Sequence, residues 1–157
     1  MLLLNNLQQL CIEKGVSVAV AESCTAGLIA SKLTAFSGSS SYFKGGIVAY
    51  QNEIKTKILG VSQSIIDEKT EVSAEVVKQM AKSVLEKFDA DFAVATSGYA
   101  GPTGGTNKNP IGTVFIAIAS VVGVVVSRFV FSGNRQSIVN QASESALNLL
   151  YTKIKKQ

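Results

Sequence analysis

Three short apolar runs, "VSVAVA" at 16–21, "GIVAY" at 46–50 and "FAVAT" at 92–96, are each separated by segments whose apolar residues recur at helical spacing. Strands joined through helices pair in parallel by right-handed crossovers, which brings their carboxyl ends to one edge of a sheet. Two further runs, "IGTVFIAIA" at 111–119 and "VVVSRFVF" at 124–131, meet at a tight turn around Val122 and Gly123. The first of them leaves that edge and runs antiparallel, and the second returns to it. The order α-β-α-β-α-β-β-β-α predicts an α/β fold, a three-layer α/β/α sandwich around a mixed, mostly parallel sheet of about five strands with one strand antiparallel.

The helices follow from the same periodicity. Leu3, Leu4, Leu7, Leu10 and Cys11 mark a first helix that Gly15 stops, and a second is expected over 24–35 with Leu28, Ile29 and Leu33 on one face. "NEIKTKIL" starts a short helix after the second strand, and 60–72 reads as irregular or briefly helical. Ser73 caps a longer helix to Phe88, with Val76, Val77, Met80, Ala81, Val84, Leu85 and Phe88 inward. The last helix, about 136–154, buries Ile138, Val139, Ala142, Ala146, Leu149 and Leu150. With no repeat or linker, residues 1–157 are expected to form a single domain.

Composition narrows the chemistry. Hydrophobic residues are 46% and charged residues 17%, a globular profile without a stretch apolar enough to span a bilayer. The opening "MLLL" lacks a basic flank and runs into Asn5 and Asn6, so it reads as an amphipathic helix and the expected setting is cytoplasmic, with no membrane partner. The formal charge of +4 comes from scattered lysines without a nucleic-acid reading motif, so a small anionic ligand is the expected partner and nucleic acid is not. There is no histidine, and Cys11 and Cys24 are unclustered, which argues against zinc, haem and most transition-metal sites; no cofactor is expected. Exposed apolar residues on the first helix would favour a homo-oligomer.

Four segments gather on the shared edge: "AESCTAG" (21–27), "AYQNEIK" (49–55), "TSGYAGPTGGT" (96–106) and "SGNR" (132–135). Ligands of open α/β sheets bind outside the carboxyl ends of the strands. Ser23 stands where it either caps the following helix or acts as a nucleophile in the positive field of free backbone amides, with Thr25, Gly27 and the early helix amides as donors. Without histidine its base cannot be an imidazole, and a Ser-Lys pair is the established alternative. Lys55 lies one turn beyond strand two; it is either that base or an ordinary exposed helix lysine like Lys57. A lysine at its reference pKa is neutral about once in 2,500 molecules at pH 7, and lowering the pKa to roughly 8 costs about 3 kcal/mol. Burial or Arg135 would supply that shift, and Glu22 or Glu53 would oppose it.

Tyr50 reads either as a proton relay or as a strand-end aromatic packed under the loop. Cys24 is a second candidate nucleophile, although consecutive side chains diverge by about 100° in a helix, so only one of Ser23 and Cys24 would face a ligand. The loop "GYAGPTGG" offers bare backbone to a ligand but lacks the P-loop ending. Arg135 sits at the start of the last helix, where a cation is disfavoured unless it binds an anion or a surface carboxylate.

Taken in order, "AESCTAG", "FKGGIVAYQNEIK", "VSAEV", "TSGYAGPTGGTNKNPIGTVFIA" and "FSGNR" resemble the CinA C-terminal domain family, the nicotinamide-nucleotide amidohydrolases, from about Leu7 to Leu150. The resemblance implies metal-free hydrolysis of the carboxamide of nicotinamide mononucleotide to nicotinate mononucleotide and ammonia, in the manner of Ser/Lys hydrolases. It places the family's serine on Ser23, its lysine on Lys55, its tyrosine on Tyr50 and its arginine on Arg135. The implied catalytic set is Ser23, Lys55 and Tyr50, and the implied substrate-binding set is Thr25, Asn52, Ser97, Gly98, Ala100, Gly101 and Arg135. Ala26 stands where the family usually has glycine, Ser97 where threonine is common, Tyr99 where isoleucine or valine is usual, and Asn134 where aspartate is familiar. Many members carry an additional amino-terminal domain, and this chain reads as the stand-alone form. Two other readings are a nucleotide-binding or regulatory domain without turnover, and an amidase acting on a related carboxamide.

Overall fold

A computed structural model describes residues 1–157. Five strands form one sheet in the order β2-β1-β3-β4-β5. They are β1 (Val18–Glu22), β2 (Phe43–Val48), β3 (Phe92–Gly98), β4 (Thr113–Ser120) and β5 (Gly123–Val130). β1 pairs in parallel with β2 and β3, whereas β4 is antiparallel to both β3 and β5. One strand therefore opposes four, the sheet read from the sequence. The helices are α1 (Leu2–Lys14), α2 (Leu28–Leu33), α3 (Asn52–Lys57), α4 (Gln63–Lys69), α5 (Ala74–Lys87) and α6 (Arg135–Lys156). None is long and apolar enough to cross a membrane.

The alternation along the strands sorts large from small side chains. Val18, Val20, Phe92, Val94, Ile116 and Ile118 enter one core with Leu7, Ile29, Ile138 and Leu150 of α1, α2 and α6. Ala19, Ala21, Ala93, Ala95, Ala117 and Ala119 enter the other, beneath Val76, Val77, Met80 and Val84 of α5. Period-2 alternation of bulky residues with alanine thus buries both faces, and the alanine face lets α5 lie close to the strands. Ser73 caps α5 by accepting from the Val76 amide (3.3 Å), and Asn134 caps α6 by accepting from the Ser137 amide (2.9 Å).

Three boundaries depart from the sequence reading. β2 begins at Phe43, three residues before the expected 46, and so takes in Gly45 beside Gly46. Its register slips beside Val18, and a β-carbon at Gly46 would stand 2.3 Å from Val20 Cγ2. β3 continues through Ser97 and Gly98, which pair with Phe115 and Val114 of β4, so both are strand residues. The helix expected over 24–35 is confined to Leu28–Leu33.

Left-handed backbone at Ala26 (φ 48°) and Gly27 (φ 95°) explains the last difference, since two successive residues in that region end any helical path. Ala26 is exposed, and its β-carbon opposes the conformation that a glycine would adopt freely. Ala26→Gly is therefore expected to raise stability by up to about 1 kcal/mol, the relief being partly offset by a more disordered unfolded chain. Urea unfolding of the two proteins side by side measures it; a loss of stability would show that the turn carries no strain at this position.

Candidate active site

Ser23 follows directly on β1. Its amide donates to the Thr96 carbonyl (3.1 Å), which carries the parallel ladder one residue past the strand. Two residues on, the Thr25 and Thr96 hydroxyls are hydrogen-bonded at 2.8 Å in the interior. Ser23 is thereby fixed to the central strand from both sides, and it is 8% exposed.

Ser23 is not the cap of the following helix. That role belongs to Glu22, whose buried carboxylate accepts from the amides of Gly27 (3.1 Å), Ile29 (3.1 Å) and Ala30 (2.8 Å). The early helix amides expected as oxyanion donors are consequently occupied. The Ser23 amide is bonded to Thr96, the Ala26 amide to the Ser23 carbonyl and the Leu28 amide to the Thr25 carbonyl. Between Ser23 and Ala30 this leaves the amides of Cys24 and Thr25 bonded to no other residue.

Lys55 is 1% exposed, the largest fully buried side chain of the molecule, and not the surface helix lysine that its spacing equally allowed. Lys57 is the exposed one, paired with Glu53 one helical turn back. The Lys55 ammonium donates to the Tyr50 carbonyl (3.2 Å) and forms no ion pair. Burial lowers its pKa from the usual 10.5, while the charges of Glu71 and Cys24 push the other way. Desolvation is thus the cause of the shift and Arg135 is not; the opposing carboxylate is Glu71 and neither Glu22 nor Glu53. Burial also pushes the Cys24 thiol up to about 12, against its own amide, the Thr96 hydroxyl and the Lys55 charge, with the Glu22 charge acting alongside burial. A thiol so placed stays protonated at neutral pH and supplies no thiolate.

Ser23, Cys24, Tyr50, Asn52, Lys55, Ser97, Gly98, Ala100 and Arg135 line one cavity of about 170 Å³ at the carboxyl-terminal edge of the parallel strands. Eight of the ten residues expected in the site meet there. Thr25 does not, because its hydroxyl is spent on Thr96, and Gly101 does not line it either. Gly101 contributes its carbonyl to Arg135 Nη1 (2.8 Å), while Arg135 Nη2 donates to the Tyr50 hydroxyl (2.6 Å). The guanidinium therefore ties the start of α6 to the glycine loop and to the end of β2. Tyr50 is 52% exposed, a rim residue held by Arg135 and not packed under the loop.

The two glycines of the implied binding set owe their identity to neighbouring chain. A β-carbon at Gly98 would lie 2.6 Å from the Thr113 carbonyl oxygen, and one at Gly101 (φ 77°) would lie 2.7 Å from Ile111 Cγ2. Close packing requires them, whatever a ligand adds.

Glu71, Val72 and Tyr99 complete the lining. Tyr99 stands out in the sequence as a departure from the family's usual isoleucine or valine, whereas nothing in the sequence places Glu71 and Val72 at the site. They arrive from the turn between α4 and α5, held by bonds from the Ser97 hydroxyl to the Glu71 carbonyl (2.8 Å) and from Asn109 Nδ2 to the Val72 carbonyl (3.4 Å). The only sequence signal was the position of "VSAEV" among the ordered motifs.

A buried amine with a lowered pKa and a serine lining the same cavity are the parts of a base-assisted nucleophile. The profile described as CinA C-terminal domain matches residues 2–154. A CinA-like protein of Flavobacterium psychrophilum is 45% identical over 150 residues, covering 96% of this chain and 36% of that protein. A putative competence-damage inducible protein of Halothermothrix orenii is 39% identical over 152 residues, 96% of this chain and 37% of its own length. The chain thus spans about a third of the length of these curated relatives. A crystal structure of a competence-damaged protein (CinA) superfamily protein from Klebsiella pneumoniae superposes with a TM-score of 0.95 at 32% identity, covering 99% of this chain and 97% of that one. One from Enterobacter cloacae gives 0.92 at 36% identity, covering 97% and 90%.

Proposed function

The chain belongs to the CinA C-terminal domain family, and from that premise we propose that it hydrolyses the carboxamide of nicotinamide mononucleotide, releasing ammonia and nicotinate mononucleotide. The observation that carries this reading is Lys55: a buried amine with a lowered pKa, sharing a cavity with Ser23 in a chain that has no histidine. Burying an ammonium without an anionic partner is costly, and the cost is useful where a neutral amine is needed as a base.

In this mechanism neutral Lys55 takes the hydroxyl proton as Ser23 Oγ bonds to the carboxamide carbon. The amide of Cys24, a residue of the cavity lining, receives the negative oxygen. The C–N bond then breaks as the Lys55 ammonium returns the proton to the departing nitrogen, leaving an acyl-serine and ammonia. Lys55 next deprotonates water, which attacks the acyl carbon, and the serine oxygen leaves with that proton. The Tyr50 hydroxyl is engaged by Arg135 at the rim, which makes Lys55 the better proton carrier throughout.

A cavity of about 170 Å³ is smaller than the roughly 300–1,000 Å³ clefts that enclose drug-sized ligands. It admits the pyridine carboxamide, with Tyr99 beside the ring, and leaves ribose and phosphate at the rim near Asn52 and Arg135. The purified protein with nicotinamide mononucleotide is expected to yield ammonia and nicotinate mononucleotide in equal amounts, followed by chromatography and a coupled ammonia assay. Calorimetric binding without product would select the regulatory domain, and turnover only of other carboxamides would select the related amidase.

A further inference from the structure

The lining of the cavity includes an acidic residue that the mechanism leaves unused. Glu71 is the sole acidic residue among that lining, which also holds the cations Lys55 and Arg135, and its charge acts on Lys55. None of the molecule's three ion pairs includes Glu71, and its side chain accepts no hydrogen bond from the protein. Its main chain, in contrast, is braced. Ser97 Oγ donates to the Glu71 carbonyl (2.8 Å) and Asn109 Nδ2 to the Val72 carbonyl (3.4 Å). Asn109 Oδ1 in turn accepts from Arg128 Nε of β5 (3.1 Å). Glu71 is thus a half-buried residue with a fixed backbone, whose carboxylate oxygens accept no bond from the protein.

A carboxamide and its acid differ at one place, where an N–H2 donor is exchanged for a negatively charged acceptor. A carboxylate opposite that place accepts a hydrogen bond from the amide and repels the acid. When Lys55 is neutral, as a base must be, Glu71 leaves the interior of the cavity with a net negative charge that Arg135 balances only at the rim.

We propose that Glu71 is the specificity-determining residue of the site, its carboxylate accepting a hydrogen bond from the N–H2 of a neutral carboxamide and expelling the carboxylate of the acid product. This rests on the amidase reading above. The side chain does not carry the brace, because Ser97 and Asn109 bond main-chain carbonyls, so Glu71→Gln keeps the local fold.

The test is calorimetric titration of nicotinamide mononucleotide and nicotinate mononucleotide into the Ser23→Ala protein, which lacks the proposed nucleophile. The same titrations are made with Glu71→Gln and Glu71→Asp added. The Ser23→Ala protein is expected to prefer the amide by about tenfold or more, the size of a like-charge contact in a partly dry site. Glu71→Gln should collapse that ratio toward one, chiefly by tightening the acid, and Glu71→Asp should preserve it. An unchanged ratio in Glu71→Gln overturns the assignment, as does equal weakening of both nucleotides, which would place Glu71 on the ribose or in the fold alone. Failure of both nucleotides to bind any of the proteins overturns the amidase reading itself, and the inference with it.

Discussion

Ser23→Ala and Lys55→Met are each expected to lower kcat for nicotinamide mononucleotide hydrolysis by about 10³-fold or more, and the double variant no further than the worse single one. In the proposed mechanism the alanine removes the atom that bonds to the carboxamide carbon. The methionine keeps the volume and the apolar stem of a residue that is 1% exposed while deleting the amine proposed to move each proton. Because the two groups act as a unit, their losses do not add. Steady-state ammonia release with circular dichroism as a fold control measures this. Near-normal turnover by either folded variant would remove the Ser/Lys mechanism.

Stability moves in the opposite direction from activity at Lys55. Burial lowers the folded-state pKa below the usual 10.5. Below that folded value both states bind the proton, and the native protein bears the whole desolvation penalty. Between the folded value and 10.5 the unfolded chain binds more protons than the native one, so stability rises with pH across that window. Lys55→Met is therefore expected to be more stable than wild type at neutral pH and to lose this rise. In the wild type kcat/KM should climb with pH through the same pKa, since the base must be neutral to act.

Glu22→Ala is expected to cost about 3–5 kcal/mol of unfolding free energy. One side chain satisfies the amides of Gly27, Ile29 and Ala30, and each buried donor left without a partner costs about 1–3 kcal/mol. Water can reach the half-buried Gly27 and Ala30 ends, which keeps the sum below the arithmetic maximum. α2 is six residues long, far short of what holds a helix by itself, and has no Ser or Thr cap to take over. Glu22→Gln should fall between, because one carboxylate oxygen becomes an N–H2 facing donors. Urea denaturation gives the values; a loss under about 1 kcal/mol from the alanine would show that water caps the helix equally well. Turnover should fall with stability, since the same turn carries Ser23 and Cys24 of the cavity lining.

Much of this site was legible before any coordinates. A serine after strand one, a lysine after strand two and a polar loop after strand three must approach one another once the strands pair in parallel. Chain direction places them at one edge whatever the side chains do. What misled was local resemblance. "ESCTAG" looks like a capped helix start, yet Glu22 turns inward and takes the amides, so Ser23 needs no capping role. The apolar run "GIVAY" marks a strand from 46, yet pairing with β1 starts at Phe43, and the bare α-carbon of Gly46 admits the close approach of Val20.

The order of elements, the two-sided sheet and the shared edge were set by the sequence, because periodicity and crossover handedness act over a few residues or on chain direction alone. The protonation state favoured at Lys55, the capping by Glu22 and the arrival of Glu71 were set only by the tertiary structure. Each depends on which distant segment packs against the group: Thr96 against Thr25, 71 residues away, and Ser97 against Glu71, 26 away. Desolvation and hydrogen-bond partners are properties of that neighbourhood, and no window of sequence contains it.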